Sequence, residues 1–184
     1  MELIASHPTD PRYHLAEELL LQAFPPEERR SLEEIRKLML NEKKFRPHLI
    51  IENGQFAGIL NYWELDGFIY VEHLATDPAL RGGGIGGRAL DLLSAQSSLP
   101  IVLEVEHPDT EIAGRRIGFY RRHGYTLWER KTYIQPPYGD DLPWLPLLLM
   151  VNGGLEEEKD FERIRKDIYE TVYHKQVCDI PSKI

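Results

Sequence analysis

Five of the six residues from Gly82 to Gly87 are glycine. A helix must begin inside that run, because Ile85, Ala89, Leu92 and Leu93 share one side at helical spacing. Glycines at a helix start strip the Cβ atoms that would hold a ligand away from the backbone. Several N–H groups can then point at one spot, and the helix dipole adds to their pull. The result is a cradle for a phosphate or pyrophosphate; a flexible glycine turn is the plain alternative. The run also divides the chain, because the patterns on its two sides differ.

Before it, Met1–Ser6 reads as a strand and about Pro11 to Phe24 as a helix with Leu15, Leu19 and Leu20 on its apolar side. Pro25-Pro26 ends that helix. Ser31 with Glu34 is a capping-box pattern opening a helix that carries Leu32, Ile35, Leu38 and Met39 and fades near Asn41. His48–Glu52, Phe56–Glu64 and Phe68–Thr76 form a predicted antiparallel meander, turned by Asn53-Gly54 and Asp66-Gly67. After the glycines come a strand at Ile101–Val105 and a helix at Thr110–His123 closed by Gly124. Strands follow at Tyr125–Tyr133 and Leu145–Val151, then a charged helix from Glu156 to about Tyr173 with an apolar stripe of Phe161, Ile164, Ile168 and Val172. The class is α/β with a mixed sheet: a hairpin meander, then one strand–helix–strand crossover. The pattern predicts a main domain over residues 1–151 and a helical extension over residues 152–184, packed on that domain or on a partner subunit.

Composition removes several function classes. The chain has 184 residues and a formal net charge of -8, so its surface as a whole repels nucleic acid and anionic lipid. Its one cysteine, Cys178, makes neither an intramolecular disulfide nor a thiolate zinc site, and the histidines show no metal spacing. There is no basic-then-apolar leader pattern and no apolar run near the ~20 residues that span a membrane. A reducing cytoplasm is the expected location. Between Arg81 and Arg122, however, six arginines face five acids, so this segment is relieved of the acidity and suits an acidic ligand. The acidic remainder suits a cationic one.

Gly82-x-Gly84-x-x-Gly87 satisfies the dinucleotide fingerprint in letters only. Five residues, Asp77 to Arg81, separate it from the preceding strand, and three antiparallel strands come first, which a dinucleotide unit does not have. Arg88-Ala89 replaces the Lys-Ser or Lys-Thr of a P-loop. Arg81-x-x-Gly84-x-Gly86 instead resembles the signature of the GNAT N-acetyltransferase superfamily. Ile117-Gly118-Phe119-Tyr120-Arg121-Arg122-His123-Gly124-Tyr125 is similar to that family's second signature, a Phe-Tyr helix end. The two stand in the family's order over residues 1–151. One departure is Ala113, where the family often has an asparagine seven residues before the tyrosine.

The resemblance implies acetyl-CoA as the acetyl donor and a primary amine as the acceptor. Direct attack in a ternary complex is expected because Cys178, the only cysteine, lies far outside both motifs, and a monomer or homodimer is expected. The resemblance also implies a pyrophosphate site at Arg81, Gly82, Gly83, Gly84, Ile85, Gly86 and Gly87. The main chain of Leu74, Ala75 and Thr76 would pair with the pantetheine arm, with the amide near Leu74 as oxyanion donor, and Phe119 and Tyr120 would help bind the cofactor. Tyr120 would protonate the departing thiolate, which a phenol that stays protonated at neutral pH can do. Alternation puts Tyr70, Glu72, Leu74 and Thr76 on one face of their strand, which makes Glu72 the first candidate for the base, with Glu104 and Glu106 as rivals. A substrate contact or an ion pair is the other role open to Glu72. His73 faces away and packs. Arg115, Arg116, Arg121 and Arg122 either line a solvated helix face or attract CoA phosphates. The long loop Gln135–Trp144 and the first two helices are expected to shape the acceptor site. A non-catalytic acyl-CoA-binding or sensor domain is the rival from another class.

Overall fold

A computed structural model describes residues 1–182. In chain order its elements are β1 (Glu2–Ala5), α1 (Tyr13–Ala23), α2 (Leu32–Asn41), β2 (Phe45–Glu52), β3 (Gln55–Leu65), β4 (Phe68–Thr76), α3 (Ile85–Gln96), β5 (Ile101–Val105), α4 (Glu111–Arg122), β6 (Thr126–Gln135), β7 (Leu145–Asn152) and α5 (Glu157–Ile168). The class is the predicted one, a mixed α/β chain whose strands hydrogen-bond in the order β1-β2-β3-β4-β5-β7-β6. Contacts group the chain into two units: residues 1–64 with 71–98, and residues 65–70 with the chain from Leu99 onward. No helix of the described residues is long and apolar enough to cross a membrane.

In the first unit the meander forms where the turn chemistry places it. Asn53 (φ 51°) and Gly54 (φ 77°) both take the left-handed conformation that a two-residue hairpin demands. β2 begins three residues earlier than the sequence predicts, with Pro47 inside it. The Pro47 carbonyl accepts the Ser6 N–H at 2.8 Å, so its nitrogen also faces that side, past Ala5, the last paired residue of β1. Proline thus sits where the β1–β2 ladder ends, a position that tolerates its missing N–H. The β2–β3 register shifts between Ile50 and Ile51, and Ile50 pairs with Gly58. A Cβ at Gly58 would lie 2.4 Å from the Ala75 carbonyl oxygen, so β4 approaches β3 only because that atom is missing. α2 starts with the predicted capping box: Glu34 N–H donates to Ser31 Oγ at 3.2 Å, and Ser31 N–H donates to Glu34 Oε2 at 3.0 Å. Leu19, Leu20, Ile35, Leu49, Ile59 and Leu60 are buried and make the core of this unit.

In the second unit β7 pairs antiparallel with both β5 and β6. The helix predicted to run to Tyr173 stays α-helical to Ile168, then widens into a π-helical turn over Tyr169–Tyr173, ended by His174 at φ 54°. Phe161, Ile164, Ile168 and Val172, the predicted stripe, are buried. Phe161 meets the rings of Trp128 and Tyr133 on β6, each at 6.5 Å between centroids. α4 ends at Gly124, left-handed at φ 82°, and Asn152 Nδ2 donates to the His123 carbonyl at 3.0 Å to hold that corner.

Candidate active site

The glycine segment sits at the start of α3. Gly82 (φ 87°) and Gly84 (φ 70°) are left-handed, and a Cβ on either would meet nothing within 4 Å. They supply backbone shape and an open approach rather than close packing. Gly84 is the residue before the first turn of α3 and puts no side-chain cap on it. α2 and α4 differ: Ser31 and Thr110 each accept a first-turn N–H of their own helix. The first-turn amides of a helix have no acceptor within it, and at α3 none is supplied by a capping side chain. Gly82, Gly83 and Gly84 are exposed, as is Arg81, while Ile85 is buried and anchors the helix start. Gly87 is buried and Gly86 half-buried. Arg88, one turn in, pairs with Glu52 at 2.8 Å. Asp77 accepts the Ala79 N–H at 2.9 Å and shapes the turn between β4 and the glycines. These features suit a pyrophosphate.

On β4, Leu74 and Thr76 are half-buried and Ala75 is buried. Glu72 is 1% exposed at its side chain. Its Oε1 accepts from Arg30 Nε at 3.2 Å and its Oε2 from Trp63 Nε1 at 2.7 Å. The Arg30 guanidinium also lies 5.7 Å over the Trp63 ring. Of the roles the sequence leaves open to Glu72 (base, substrate contact or ion pair), the structure displays the ion pair. His73 is buried, with its ring edge-on to Phe24 at 4.7 Å and Nε2 3.2 Å from the Glu28 carbonyl; burial pushes its pKa down.

In the second unit Tyr120 lies on α4 and is buried. Its ring is edge-on to Phe119 at 5.1 Å and to Tyr125 at 5.6 Å. Burial pushes its phenol up to about 12, with Arg116 pulling down and Glu106 adding to the rise. Glu106 pairs with Arg116 at 2.6 Å and Arg115 with Glu111, so these members of the arginine cluster make surface pairs. Glu104, half-buried on β5, accepts hydrogen bonds from Tyr133 and Tyr173. The long loop joins the same cluster: Tyr138 Oη is 3.3 Å from Tyr173 Oη, and the Trp144 ring is 6.2 Å from that of Tyr169.

Residues 12–125 match the acetyltransferase (GNAT) family. The chain belongs to that family. A GNAT-family structure from Bacteroides thetaiotaomicron is 46% identical, with a TM-score of 0.90, over 94% of this chain and 98% of its own. YjbC of Bacillus subtilis (strain 168) is 27% identical over 158 residues, 85% of this chain and 80% of YjbC. A more distant GNAT structure, from Elizabethkingia anophelis with acetyl-CoA bound, shares the fold at a TM-score of 0.58 and 14% identity, over 83% of this chain and 97% of its own.

Within this GNAT chain, Ala113 occupies the position where the family often has asparagine. It is buried, and its N–H is spent on the Thr110 hydroxyl at 3.1 Å. Arg30, Trp63, Tyr133 and Tyr173 are the neighbours of the candidate carboxylates that sequence reasoning passes over. A signal for Arg30 exists: a glutamate inside the apolar strand FIYVEHLAT must find a partner when buried. Tyr173 lies 69 residues from Glu104 and carries no local sign of the meeting.

Proposed function

We propose that the chain transfers an acetyl group from acetyl-CoA to a primary amine by direct attack, with no acyl-enzyme stage. The observation that carries this reading is the start of α3, with two left-handed glycines, no capping side chain and open space above the backbone. The amides of that turn, with Arg81, would hold the pyrophosphate. When bound, acetyl-CoA supplies the activated acyl group. The Leu74 amide on β4 would donate to the carbonyl oxygen as charge develops there. Tyr120 would hold a proton for the departing sulfur, and a phenol held at about 12 keeps that proton at any physiological pH. We assign Glu72 to holding Arg30 and Trp63 in place, and the proton of the attacking amine to water. The residues over 1–151 would form the catalytic part and 152–184 a helical extension. The exposed thiol of Cys178 suits a reducing cytoplasm.

Titration calorimetry tests the reading. The wild type should bind acetyl-CoA in preference to NAD. Gly84→Val forces a β-branched residue to φ 70° and should weaken acetyl-CoA binding by about tenfold or more. Preference for NAD would overturn the assignment. Acetyl-CoA binding without thiol release over a broad amine panel would leave a sensor domain instead.

A further inference from the structure

One cluster in the second unit has no role in the reaction as described. Glu104 on β5 is held by tyrosines from two other segments, and two more tyrosines reach one of these. Tyr133 on β6 donates to Oε1, and Tyr173 in the π-helical turn lies 3.0 Å from Oε2 and 3.3 Å from Oε1. Tyr70 on β4 and Tyr138 in the long loop reach the Tyr173 hydroxyl at 3.1 and 3.3 Å. The rings of Tyr138 and Tyr173 lie 5.0 Å apart. Tyr70, Tyr133 and Tyr173 are buried, whereas Glu104 and Tyr138 are half-exposed. The cluster thus has a buried wall of phenols and a side reached by solvent.

Burial first, and the Glu104 charge second, push the Tyr133 and Tyr173 phenols well above their ordinary range. They are permanent neutral donors, so they orient the carboxylate without cancelling its charge. A carboxylate held in place by phenol hydroxyls is a chemistry that binds an alkylammonium through Coulomb attraction.

We propose that Glu104, positioned by Tyr133 and Tyr173, binds a cationic nitrogen of the acceptor and selects diamine-type acceptors. This rests on the acetyl-transfer reading. The nitrogen that attacks must be neutral, although an alkylammonium has a pKa near ~10.4. The cation held throughout the reaction is therefore a second nitrogen on the same acceptor. The π-helical turn has a purpose in this scheme, because it delivers the Tyr173 hydroxyl to Glu104.

The test compares 1,4-diaminobutane with 4-amino-1-butanol, which has the same length and one neutral end. Thiol release is measured for both, and calorimetry reads 1,4-diaminobutane binding in the presence of CoA. The wild type should favour the diamine by about tenfold in kcat/KM, mostly through KM. Glu104→Gln keeps an acceptor for both tyrosines and removes the charge. It should erase that preference and the calorimetric signal while the acetyl-CoA Kd holds. Tyr138→Phe, a change at a half-exposed ring, should raise the diamine KM by a smaller factor. A wild type indifferent to the second nitrogen overturns the proposal, as does a Glu104→Gln variant that keeps the preference. In both cases intact acetyl-CoA binding and turnover would leave the parent reading standing. Loss of acetyl-CoA binding by the wild type would fail that reading instead.

Discussion

Tyr120→Phe should lower kcat by about 10²-fold or more and leave the acetyl-CoA Kd within a factor of about two. The ring packs edge-on against Phe119 and Tyr125, contacts that phenylalanine reproduces, so the substitution removes the hydroxyl and little else. A hundredfold loss corresponds to about 2.7 kcal/mol of transition-state stabilisation, within the range of one well-placed acid. The wild-type pH–rate profile should show no alkaline fall from this group below about pH 10, because the Tyr120 phenol titrates near 12. The same shift acts on stability with a definite sign. The folded phenol holds its proton to about 12 and the unfolded one only to about 10. The contribution is therefore complete below pH 10 and is lost as the pH rises through 12. Single-turnover measurements separate the acid step from product release. Unchanged single-turnover rates in Tyr120→Phe would remove the hydroxyl from the chemistry.

What the sequence reveals of this molecule is what local physics decides. Asn53-Gly54 must be a tight hairpin because the residue pair tolerates two left-handed positions in a row, and it takes φ 51° and 77°. Ser31 and Glu34 cap each other wherever the rest of the chain goes. β4 and β5 match their predicted limits because both are short apolar runs between strong breakers. The glycine segment is legible for the same reason, since Gly84 announces a helix start that no side chain caps. The misses are non-local. β2 extends back through Pro47 because β1 ends where the proline would have needed a donor, a fact about a neighbour rather than about the strand. The π-helical turn after Ile168 continues an apolar stripe that reads as plain α-helix. The partners of Glu72 and Glu104 lie 42 and 69 residues away, at Arg30 and Tyr173, and a single sequence carries no record of who meets whom.

The other large effect is on stability. Arg30→Met should destabilise the fold by about 3–5 kcal/mol, because it leaves Glu72 buried with its charge uncompensated. The Arg30 and Glu72 side chains are 7% and 1% exposed, so solvent cannot take the place of the lost partner. Methionine keeps much of the packing over the Trp63 ring, and the loss therefore reports charge rather than volume. Urea denaturation with an unchanged m-value is the measurement. Glu72→Gln alone should also destabilise, since it strands the guanidinium. The double variant Arg30→Met/Glu72→Gln removes both charges, and its stability should return most of the way to wild type. A simply additive double variant would mean that the pair is not coupled. The cycle also decides between the two roles of Glu72. It lies two residues before Leu74 on the same face of β4, so a base at that position would show in turnover. A double variant that folds and turns over normally leaves Glu72 as the anchor that holds Arg30 to the strand. One that folds normally but transfers no acetyl group would make Glu72 the base, acting from beside the very arginine that holds its charge.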